Sequence, residues 1–213
     1  MLRNLGLVGL VVIVFWGIGY LWLSAEDGTA ETAFQPEGHF RTFNAASISP
    51  ERAESYYENL RGDMADRYAE AAEASAMNYQ QWQRFNSAPY ISATHGDRFV
   101  NNFGNALAAG YAGVLQGETL PPGAILAKDA FAVTAGEKVF AQSLFLMEKL
   151  EQGRSPAFAD WRYVMITAAG ELYADSLDPD TAAKVTFCHD CHAGVADQDY
   201  LFYIPEPFRA ASR

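Results

Sequence analysis

Cysteine is scarce in this chain of 213 residues: there are two, Cys188 and Cys191. With no spare thiol, stray disulfides in an oxidising space are excluded. Basic residues are also few, 15 Lys plus Arg against 26 Asp plus Glu, for a formal net charge of -11. Such a surface repels nucleic acid and anionic lipid headgroups, and it favours a basic or neutral partner. Several catalytic signatures are missing: there is no G-x-x-x-x-G-K-[ST], no G-x-G-x-x-G, no H-E-x-x-H and no G-x-S-x-G. P-loop, dinucleotide-binding, zincin and nucleophile-elbow chemistries therefore have no foothold.

What is present is a run of five residues, Cys188-His189-Asp190-Cys191-His192. It contains C-x-x-C-H, the attachment signature of a c-type haem. Two thiols add across the two vinyl groups of one porphyrin, so they must lie a short fixed distance apart. The histidine that follows is then placed as an axial ligand to the iron. Three other uses of these residues fit less well. A thioredoxin-like pair opens a helix near the start of a βαβ unit, and no such unit surrounds this motif. A structural zinc draws ligand pairs from separate segments, which one short run does not supply. A disulfide across two intervening residues is strained and constrains little of the unfolded chain. The cofactor expected is one covalent haem c on Cys188 and Cys191, with His192 as the metal ligand.

The N-terminus supports this reading. Leu5 to Ser24 is an uncharged run, LGLVGLVVIVFWGIGYLWLS, with Trp16, Tyr20 and Trp22 toward its end. A stretch of about 20 apolar residues spans a bilayer as a helix, and aromatics gather at the interface. The competing reading is a cleaved signal peptide, but the apolar run exceeds the usual ~7–15 residues and no clean A-x-A site follows. Arg3 precedes the span; Glu26, Asp27 and Glu31 follow it. Positive charge stays inside, so the body is exported. The expected location is the bacterial inner membrane, single-pass, with the haem domain in the periplasm, where c-type haem is attached.

The expected organisation is an anchor over 1–24, a linker over 25–48 and a haem domain over 49–213. Ser49-Pro50-Glu51 is a helix start: a capping hydroxyl, a proline at the first position, then an acid. Apolar Ala53, Tyr57, Leu60, Met64, Tyr68 and Ala71 follow at helical period, predicting one or two helices over 50–76, with Gly62 as a bend or break. Segment 98–101 reads as a short strand and 104–116 as Ala-rich and helical. Segments 124–133 and 138–147 flank Thr134-Ala135-Gly136-Glu137 as a hairpin. Strands over 161–167 and near Leu172-Tyr173, a helix from Asp178-Pro179 through His192, and a last strand over 200–204 complete the pattern. Helices, then consecutive antiparallel strands, then a helix indicate an α+β fold. A class I cytochrome c differs: there C-x-x-C-H lies near the start of an all-helical domain with a methionine ligand downstream, and here no methionine follows His192.

The chain resembles the cytochrome P460 family over roughly 85–209. The stretches that carry the likeness are FNSAPYISATHGDRFVNN (85–102), LPPGAILAKDAFAV (120–133), LFLMEKL (144–150), DWRYVMI (160–166) and FCHDCHAGVADQDYLFYIPEPFR (187–209). The resemblance implies an antiparallel sheet with flanking helices, haem attached at Cys188 and Cys191, and His192 as proximal ligand. Some members oxidise hydroxylamine and carry a lysine cross-linked to the porphyrin; others lack the cross-link and bind small gases such as nitric oxide.

Lys128 is the best candidate for a P460-type cross-link, being one of four lysines and the one that interrupts an apolar strand. An edge-strand lysine facing water is the competing reading. His95, in Ala-Thr-His-Gly-Asp, is a candidate distal acid–base group or sixth ligand, against a plain surface histidine. Phe99, Phe103, Phe131 and Phe145 fit either an apolar distal wall or the core, and Met147 and Met165 read as core. Glu148, Asp160 and Arg162 fit either proton-transfer and propionate partners or solvated charges. His189 reads as exposed on the haem helix.

Two functions follow from these expectations. One is oxidation of hydroxylamine or a related small nitrogen compound, with electrons passed to a periplasmic carrier. The other is an electron-relay, gas-binding or accessory haem subunit held in a larger membrane complex.

Overall fold

The computed structural model describes residues 46–211. The apolar run over 5–24 and most of the linker lie outside them. Among the described residues no helix is long and apolar enough to cross a membrane.

Helix α1 spans Pro50–Ala69 and begins as its sequence dictates: the Ser49 hydroxyl accepts the Arg52 amide, with proline in the first turn. Its stripe of Ala53, Tyr57, Met64 and Tyr68 is buried. Gly62 neither bends nor ends it, and a side chain there would meet nothing within 4 Å. A short α2, Ala74–Asn78, follows. Ala46, in the expected linker, is buried and donates its amide to the Val133 carbonyl at 2.8 Å, so the last linker residues lie against the body.

The sheet is an antiparallel meander. Strands β1 (Gln83–Arg84) and β2 (Tyr90–Ser92) share one edge of β3 (Arg98–Gly104), which pairs with β4 (Ile125–Val133). The expected hairpin forms at Thr134–Glu137, with Glu137 left-handed. Its return strand is broken at 142–143, giving β5 (Val139–Ala141) and β6 (Leu144–Lys149), both on β4. Then come β7 (Trp161–Ile166) and β8 (Leu172–Asp175). Segment 106–116 is helical as expected, but of the tighter 3₁₀ form.

The pleat sorts side chains onto two faces. One face carries Phe99, Phe103, Phe131, Val133, Leu144, Leu146, Val164 and Ile166, and it packs under α1. The Phe99 and Phe131 rings stack at 5.4 Å, and Tyr57 lies at 6.2 Å from Phe131. Each such large side chain stabilises the fold by about 1.5–3 kcal/mol on burial. The other face carries Val100, Leu126, Ala130, Met147, Tyr163 and Met165, and it packs under the 3₁₀ segment and the C-terminal segment.

The C-terminal helix differs from expectation at its start. Asp178 organises a turn, accepting the Asp180 amide and the Thr181 hydroxyl. A 3₁₀ turn over Ala182–Val185 then leads into α3, Thr186–His192. The expected strand over 200–204 does not form: Asp199 and Tyr200 both adopt left-handed backbone conformations, which interrupts any extended run.

Candidate haem site

Helix α3 explains the spacing of the motif. Positions i, i+3 and i+4 share one helix face, so Cys188, Cys191 and His192 point to a common side. That side walls a largely apolar cavity that opens between α3 and the sheet. Its floor is the second face of the sheet. In register across three strands stand Asn102, Lys128 and Phe145, and in the next row Leu126, Met147 and Tyr163. His95 and Thr94 close one side, and Leu201 and Phe202 another.

His192 is 9% exposed, and its Nδ1 lies 2.6 Å from the Tyr200 carbonyl oxygen. A carbonyl only accepts, so Nδ1 carries the proton. Nε2 is then the nitrogen available to a metal, and the donated hydrogen bond makes it a stronger ligand. The ring is also fixed by edge contacts with Tyr163 at 5.7 Å and Phe202 at 5.3 Å. The Cys188 thiol is half-buried, and burial pushes it up to about 12, with the nearby Cys191 adding to the shift. Cys191 is exposed, so the thiol pair runs from the cavity interior to its mouth.

Lys128 lies on the central strand β4 with its side chain in the cavity, so the water-facing edge position is ruled out. Burial pushes its ammonium down to about 8; the charge of Cys191 opposes the shift. Burial thus favours the neutral, nucleophilic form of this amine relative to an exposed lysine. His95 is 7% exposed, not a surface residue. It sits in a 3₁₀ turn closed by left-handed Gly96, with Nδ1 at 2.9 Å from the Ser92 hydroxyl and its ring edge-on to Phe145 at 5.2 Å.

Of Phe99, Phe103, Phe131 and Phe145, Phe145 alone lines the cavity; the other three face α1 and are core. Met147 lines the cavity, while Met165 is core beside it. Glu148 and Arg162 belong to a hub away from the cavity, where Arg162 pairs with Glu73, Glu148 and Asp175. Asp160 accepts the Gly153 and Ser155 amides in a turn, which hold its carboxyl below the usual range. His189 is half-buried and stacks on Tyr200 at 5.6 Å.

Among the cavity residues not anticipated are Tyr111, Asn102 and Tyr163. Tyr111 donates its hydroxyl to the Phe202 carbonyl at 2.5 Å, and Asn102 links it to Tyr90. Both came from stretches whose composition gave no face assignment. Tyr163 is 2% exposed, and its hydroxyl has no hydrogen-bond partner among the described residues. A buried unpaired hydroxyl is costly unless a bound group satisfies it. An apolar cavity bearing two thiols, a histidine held in its Nδ1–H form and an unsatisfied hydroxyl suits a haem, whose macrocycle is apolar and whose propionates accept hydrogen bonds. No curated protein matches the chain. The sequence model of the cytochrome P460 family matches residues 76–203, more than half of the chain, and the protein belongs to that family of c-type haem cytochromes.

Proposed function

We propose that the protein is a membrane-anchored, periplasmic mono-haem cytochrome that oxidises hydroxylamine or a related small nitrogen compound and passes the electrons to a periplasmic carrier. One observation carries this reading: Lys128 and His95 line the same cavity as Cys188, Cys191 and His192. Cys188 and Cys191 would hold the porphyrin covalently, and His192 Nε2 would bind the iron. The haem, when bound, supplies the redox-active and electrophilic centre. Lys128 is the amine that the cavity wall would offer to the bound porphyrin. His95 holds or moves a proton at its ring nitrogen when a small N–H or O–H substrate loses one. Phe145 and Met147 keep bulk water from that side of the cavity.

The anchor over 1–24 favours a second reading, a tethered relay or gas-binding subunit of a membrane complex, because a diffusible enzyme needs no tether. Turnover separates the two. Purified holoprotein is mixed with hydroxylamine and a soluble electron acceptor, and acceptor reduction is followed. Sustained turnover, lowered about a hundredfold in His95→Ala, supports the enzyme. Reduction of the haem without turnover supports the relay and removes the catalytic roles of Lys128 and His95.

A further inference from the structure

The segment that follows the haem motif contains two consecutive non-glycine residues in the left-handed region, Asp199 at φ 54° and Tyr200 at φ 63°. Such conformations are unfavourable for residues bearing a Cβ and persist only where the surroundings over-determine them. Here the surroundings are specific. The Asp199 carboxylate accepts the Leu120 amide at 2.9 Å through one oxygen and the Lys149 ammonium at 2.5 Å through the other. The two side chains are 4% and 16% exposed. Lys149 is itself seated over the Trp161 ring, 4.8 Å from its centroid. The Tyr200 amide donates to Val195 at 3.1 Å, and the Leu201 amide donates to Gln198 at 3.0 Å. The backbone carbonyl that emerges from this turn, that of Tyr200, accepts the His192 Nδ1 proton.

We propose that the Lys149–Asp199 pair is a positioning device for the proximal ligand: it fixes the left-handed turn that presents the Tyr200 carbonyl to His192, and so sets how strongly His192 donates to the iron. The proposal rests on the reading of His192 as the axial ligand. A hydrogen bond from Nδ1–H to a well-placed acceptor raises the basicity of Nε2. A more basic axial nitrogen stabilises ferric over ferrous iron, so second-sphere hydrogen bonding moves the reduction potential. Burying an ion pair carries a desolvation cost that is often not recovered in stability. Fixing the carbonyl supplies a use for a pair that stability alone does not require.

The test is made on full-length holoprotein, with Asp199→Ala, Asp199→Asn and Lys149→Met compared with wild type. Two readouts are taken: the iron–histidine stretching band of the ferrous form by resonance Raman, and the midpoint potential. Asp199→Ala is expected to move the band to lower frequency and raise the potential. Lys149→Met and Asp199→Asn, which each leave part of the clamp in place, should shift both in the same direction by less. Arg162→Gln breaks a comparably buried ion-pair hub away from the cavity and should lower thermal stability without moving either readout. If Asp199→Ala fails to load haem, the two milder variants carry the test with the same expectations. Wild-type band and potential in all clamp variants, or an equal shift in Arg162→Gln, overturns the proposal. A different failure marks the underlying reading: if wild-type protein shows no iron–histidine band and exogenous imidazole does not restore an axial ligand to His192→Gly, His192 is not the ligand, and both fall.

Discussion

Lys128 and Asp129 are neighbours on β4 and serve opposite faces of the sheet. Lys128 enters the haem cavity, in register with Asn102 and Phe145. Asp129 turns the other way into the core under α1, where its carboxylate accepts hydrogen bonds from Tyr57 at 2.7 Å, Tyr79 at 3.0 Å and Asn101 at 3.0 Å. Alternation along one strand thus separates a reactive amine from a buried structural acid.

Burial holds the Asp129 carboxyl above the usual carboxylate range, against the opposing pull of its three hydrogen bonds and of Arg84. The folded protein therefore binds this proton more tightly than the unfolded chain. As pH rises from the ordinary carboxylate range through the raised value, this group's contribution to stability is lost. Asp129→Asn is expected to flatten that part of the stability–pH curve, read from denaturation midpoints across the interval. Asp129→Ala strands two hydroxyls and an amide, and it should cost about 3 kcal/mol or more. An unchanged slope in Asp129→Asn would contradict the assignment.

Gly62 lies inside α1 with open space where a Cβ would go. Gly62→Ala should stabilise the protein by about 0.5–1 kcal/mol, because alanine has less backbone freedom to lose. A lowered denaturation midpoint would show that the glycine has a packing role.

The start of α1 at Ser49, the hairpin at Thr134–Glu137 and the i, i+3, i+4 motif were legible because each rests on local rules. Two features were not. Assigning Phe145 to the cavity and Phe99, Phe103 and Phe131 to the core needs strand register, and the break at 142–143 decides that register across β4. The segment after Asp199 reads as a strand by composition, yet long-range bonds to Leu120 and Lys149 hold the turn instead. Lys128 was visible as a charge interrupting apolar residues, and Asp129, the next residue, carried the same signal for the opposite face.

The run over 5–24 predicts that the protein fractionates with membranes and needs detergent for extraction. The mature protein should retain the apolar run over 5–24. Recovery in a soluble periplasmic fraction, with a new terminus near Ala25 or Glu26, would show a cleaved signal peptide instead.

The ferric optical spectrum of purified holoprotein tests the central claim most directly, because it reports spin state and any lysine–porphyrin link together. The prediction is a high-spin ferric haem with a red-shifted Soret band that reverts to an ordinary c-type position in Lys128→Ala. A low-spin ferric spectrum that turns high-spin in His95→Ala would contradict it, since a second protein ligand would then fill the position that substrate chemistry requires.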